Sequence, residues 1–139
     1  MAGTVDSRSR LRKARSTAEV LDATYGAFTD MLGMIRRYED GGGPFYAALV
    51  FAAAAAANGR DAMLFAPSMP PRPLHEQIAT VVSGGSEAVA AELALLSDAV
   101  IRRLTAAAAI VVADGDRGAC RDGVWFAREI HALVTGTGP

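Results

Sequence analysis

The chain has 139 residues and a formal net charge of −1, so bulk charge points to neither nucleic acid nor an anionic membrane as partner. Hydrophobic residues make up 51% and charged residues 21%, which suits a chain that buries a core and excludes global disorder. The single cysteine, Cys120, excludes an internal disulfide and a cysteine-built zinc site.

Residues 1–15 read as a flexible basic arm. Arg8, Arg10, Arg12, Lys13 and Arg15 outweigh Asp6, and Val5 and Leu11 are its only branched apolar residues. That is too little apolar surface to fold alone, so the arm is predicted to be dispensable for stability. Its charge offers contact with nucleic acid or an acidic partner. No aromatic residues are interleaved for base stacking, so nucleic acid is the weakest of the partner readings. The first apolar cluster follows charged residues, which does not fit a signal peptide. The longest uncharged apolar run, 44–57, is too short to span a bilayer. A cytoplasmic protein with no membrane association is expected.

Ser16 opens the first predicted helix. Ser16-x-x-Glu19 is a capping-box pattern, in which each side chain satisfies a free backbone donor. Leu21, Tyr25, Phe28, Leu32 and Ile35 recur at spacings of four and three, which places them on one stripe. Gly41-Gly42-Gly43 ends the helix, and Pro44 suits the first turn of the next. That second helix, PFYAALVFAAAAAAN, carries no charge. It is predicted to be the buried centre of the fold and to stop at Asn58-Gly59.

Residues 60–73 contain four prolines, which forbid a continuous helix. Met63, Leu64, Phe65 and Met69 are predicted to fold over one end of the core and to open for a ligand. A short helix follows from Leu74 to about Val82. Ser86 is expected to cap a long helix reaching toward Ala113, with Val89, Leu93, Leu96, Val100 and Leu104 inward. Asp114 to Gly118 reads as a turn, and Asp122 as the cap of a last helix over roughly 123–135. Residues 16–135 are thus expected to form one bundle domain, with 136–139 a flexible tail. The predicted fold is all-α: an antiparallel bundle of four main helices and one short one around an alanine-rich central helix.

Sequence motifs supply little chemistry. His75 and His131 lie at the borders of apolar stripes, and neither has a carboxylate at i+3 or i+4 of the kind that builds a metal site. Asp114-Gly-Asp116 fails as a calcium loop, because the twelfth position is Trp125. Gly41-Gly-Gly43 lacks the lysine of a phosphate loop. Arg117 and Arg121 flank Cys120 and could lower its pKa, although one thiol beside two arginines is thin grounds for reactivity. No catalytic residue, metal or cofactor is therefore assigned.

The leading expectation is a non-enzymatic interaction protein that forms a homodimer. Leu95 and Ile110 lie on the charged side of the long helix, with Asp98 and Arg102 between them, and Trp125 is a further interface candidate. The alternative is a bundle that binds a small apolar ligand among Met31, Met34, Met63 and Phe65, where alanines leave room and methionines adapt.

Overall fold

Ser16 shows how closely local chemistry sets the start of a helix. Its Oγ accepts a hydrogen bond from the Glu19 N–H at 3.1 Å, and Glu19 Oε1 accepts one from the Arg15 N–H at 2.8 Å. One free donor of the first turn is thereby satisfied, together with the N–H of the residue just before the cap. The computed structural model describes residues 3–38, 45–71 and 84–136, with side chains from Ser7 onward. Among these residues it contains α1 (Gly3–Lys13), α2 (Thr17–Arg37), α3 (Tyr46–Leu64), α4 (Ser86–Ile110) and α5 (Asp114–Thr135), and no strand. The all-α reading holds at this level. The short helix predicted from Leu74 to Val82, the Gly41–Gly43 stop and residues 137–139 lie outside the described residues.

The basic arm is not irregular. Residues 3–13 form α1, which packs against α2 and α4. Leu11 is 2% exposed, and Ala14 just beyond the helix is buried as well. Ser7 is buried and donates its hydroxyl to Asp30 on α2. Arg103 on α4 donates to the Leu11 carbonyl at 3.0 Å and the Ala14 carbonyl at 2.6 Å. These contacts are long-range, so the low apolar content of the arm, read locally, gave the wrong expectation.

The second predicted helix differs in two ways. It runs through Asn58-Gly59 to Leu64, because Gly59 serves packing rather than termination. A Cβ there would lie 2.5 Å from the ring of Phe28, so the absence of a side chain lets α2 and α3 approach. Nor is the helix central. It packs against α2 and α5, and Tyr46, Val50, Phe51 and Ala54 are exposed on its outer side. Small alanines fill the inner side, with Ala52 and Ala56 fully buried.

The predicted turn at Asp114–Gly118 is the first turn of α5. Asp114 and Asp116 favour a helix start by opposing the positive end of the helix dipole. Asp116 is fixed from outside the helix: it accepts from the Ser68 N–H at 2.9 Å and the Ser68 hydroxyl at 2.6 Å. Asp122 is exposed within the helix rather than capping it. At the α4–α5 junction, Arg117 pairs with Asp114 at 2.9 Å and donates to the Val111 carbonyl at 2.7 Å. α4 itself starts one residue earlier than a Ser86 cap requires. Gly85 takes the cap position at φ 82°, and Ser86 is buried inside the first turn.

Neighbour relations define the arrangement. α2 meets α3, α3 meets α5, α5 meets α4, and α4 meets α2, which closes a ring of four helices. α1 lies along the α2–α4 edge. One contiguous cluster of buried residues fills the ring, including Phe28, Met31, Leu49, Met63, Leu93, Leu104 and Ile130.

Candidate functional site

The four ligand-lining candidates separate into two groups. Met31, Met34 and Met63 are buried among their neighbours in the core. Phe65 is 84% exposed and is not part of that core. The fold therefore does not bring the four around one space. Met63 is held where the segment after α3 turns: the Ala66 N–H bonds the Met63 carbonyl at 3.2 Å, and Ser68 is tied to Asp116.

The interface candidates all reach the surface. Leu95 is half exposed, Ile110 is 77% exposed, and Trp125 is 70% exposed on the outer side of α5. Asp98 and Arg102 form an ion pair on α4. Such an exposed pair contributes little to stability, because water screens it and both side chains lose freedom.

Two surface features stand out beyond these. The first is the outer side of α3. Tyr46, Val50 and Phe51 share it, and α3 carries no charged residue before Arg60. Their spacing of four and five was visible in the sequence, but an alanine-rich helix read as buried all round concealed it. The second is a cleft of about 420 Å³ between α1 and α4. α1 contributes Arg8, Leu11 and Arg12, and α4 contributes Leu95, Asp98 and Arg102 with Ala99 and Arg103. It exists only because the basic segment folds onto α4.

Reactive groups are few. Cys120 is fully buried; burial first, and the Asp116 carboxylate second, push its thiol pKa up from 9.0. Neither flanking arginine offsets this: Arg117 is engaged with Asp114 and Val111, and Arg121 is exposed. His131 is half-buried on α5, and His75 lies outside the described residues. Among the described residues no three of His, Cys, Asp and Glu are grouped to hold a metal, and no helix is long and apolar enough to cross a membrane.

No protein-family model matches the chain, and no curated protein or solved structure matches it. Function must be argued from its own surfaces.

Proposed function

We propose that the chain is a non-enzymatic interaction protein that self-associates through the outer side of α3. The observation that carries this reading is the exposure of Tyr46, Val50 and Phe51 together on one uncharged stretch of helix. Phe51 is 64% exposed, and covering apolar surface yields about 25 cal/mol per Å². An uncharged face suits a second copy of itself, because a two-fold axis then brings no like charges together. Tyrosine and phenylalanine are also enriched at the centres of interfaces.

The Leu95–Ile110 side of α4 supports the same function less well. Its two apolar residues flank the Asp98–Arg102 pair, which an interface would have to desolvate. Light scattering at micromolar concentration should report a dimer. Val50→Glu with Phe51→Glu should give a monomer with unchanged helicity, and Leu95→Glu with Ile110→Glu should leave the dimer intact. Dissociation by the second pair alone would move the interface to α4. A monomeric wild type would overturn self-association.

A further inference from the structure

We infer that the cleft between α1 and α4 binds a small organic anion with an apolar body, an alkyl phosphate or alkyl carboxylate in chemical class. Arg8, Leu11 and Arg12 stand at i, i+3 and i+4, so one face of α1 lines the cleft. Leu95, Ala99 and Arg102 form the facing row on α4. The volume of about 420 Å³ falls in the range of small-molecule sites.

Four guanidinium groups surround the cleft with one carboxylate, and their partners divide them. Arg103 is committed to the Leu11 and Ala14 carbonyls, where it holds the end of α1. Arg102 is paired with Asp98. Arg8 and Arg12 have no carboxylate partner among the described residues; Arg12 meets only Ser9 Oγ, at 3.5 Å. Arg8 Nε is moreover buried with no hydrogen-bond acceptor. A buried donor left unmade is costly, and native structures rarely keep one without a partner. An anionic headgroup would meet the terminal N–H groups of Arg8 and Arg12, whose guanidinium forks match the oxygens of phosphate and carboxylate.

The apolar half of the ligand follows from the remaining residues. Leu95 is half exposed beside the arginines, with Ala99 and Leu11 next to it. An alkyl body laid there would cover Leu95 while the headgroup stays with Arg8 and Arg12. The inference is independent of association through α3, because α3 packs against α2 and α5 and lines no part of this cleft.

The test is calorimetric titration of the full chain with octyl phosphate, inorganic phosphate and 1-octanol at low salt, with the oligomeric state recorded in parallel. Octyl phosphate should bind at least tenfold more tightly than either of the others, since each of those satisfies only half of the site. Arg8→Gln and Arg12→Gln should each weaken it at least tenfold, while Arg60→Gln, on α3, should not. Arg12 is exposed, so its variant remains informative if Arg8→Gln fails to fold. No saturable binding of octyl phosphate, or equal binding by both arginine variants and wild type, would overturn the site. Inorganic phosphate binding as tightly as octyl phosphate would overturn the apolar half.

Discussion

Gly59 and Gly33 occupy helices for opposite reasons, and substitution should separate them. Alanine improves helix propensity at either site by about 1 kcal/mol. At Gly59 the added Cβ meets the Phe28 ring at 2.5 Å, and that ring is fully buried and rigid. Overpacking of this kind costs about 1–3 kcal/mol, so Gly59→Ala should be a net destabilisation. At Gly33 an added Cβ would meet no heavy atom within 4 Å beyond its own stretch of helix backbone, so Gly33→Ala should gain about 0.5–1 kcal/mol. Urea unfolding with an unchanged denaturant slope checks both. Cys120 gives a second prediction at this scale. Its raised pKa means that the native thiol keeps a proton which the unfolded chain gives up. Stability should therefore fall as the pH rises above 9.0, and Cys120→Ala should remove that share of the loss. Melting curves across alkaline pH test the sign. The native thiol should also resist a thiol-labelling reagent that modifies the unfolded chain readily.

At the scale of the element, α1 is the clearest case of a segment whose composition misleads. Leu11 and Ser7 are buried, and Arg103 spends two hydrogen bonds on the end of the helix. Deleting residues 1–14 should lower the melting temperature by several degrees, and Leu11→Ala alone should cost about 2–4 kcal/mol. Thermal circular dichroism of both variants measures this; an unchanged melt would mean that α1 adds nothing to the core. α3 offers a graded test along one helix. Leu49 is buried, so Leu49→Asp should unfold the protein by placing an unpaired charge in the core. Ala56→Leu should cost about 1–3 kcal/mol by overpacking. Ala54 is exposed, so Ala54→Leu should stay within about 0.5 kcal/mol of wild type. Equal effects at Ala54 and Ala56 would contradict a helix with one open side.

For the molecule as a whole, the described residues just after α3, 65–71, are held against the core. Ala66 is buried and Met69 packs against the cluster. The Met69 N–H bonds the Ala66 carbonyl at 3.1 Å, and both Ser68 bonds reach across to Asp116. By sequence, Met63 to Met69 is the segment expected to open, because prolines deny it helical bonds. Tertiary bonds replace them. Amides of Ala66, Ser68 and Met69 should therefore exchange slowly, and Asp116→Ala should release Ser68 first. Exchange at the rate of free chain in the wild type would show that these bonds are not kept.

The chain by itself determined its helices where the signal was local. Ser16 and Glu19 set the start of α2 because a capping box needs only neighbours within one turn. The apolar rows through Phe28 and Leu93 marked inward faces, since a helical period projects side chains regardless of what they meet. The exposure of Leu95 and Ile110 was legible for the same reason. What lay beyond a turn was decided by partners remote in sequence. Asn58-Gly59 reads as a stop until Phe28 lies over the glycine, and Asp114–Gly118 reads as a turn until Ser68 ties down Asp116. The basic segment reads as an arm until α4 supplies Arg103, and only that docking creates the cleft beside Arg8. Local propensities differ by about 1 kcal/mol per residue, and burial or a charge-assisted bond from a distant element readily outweighs them.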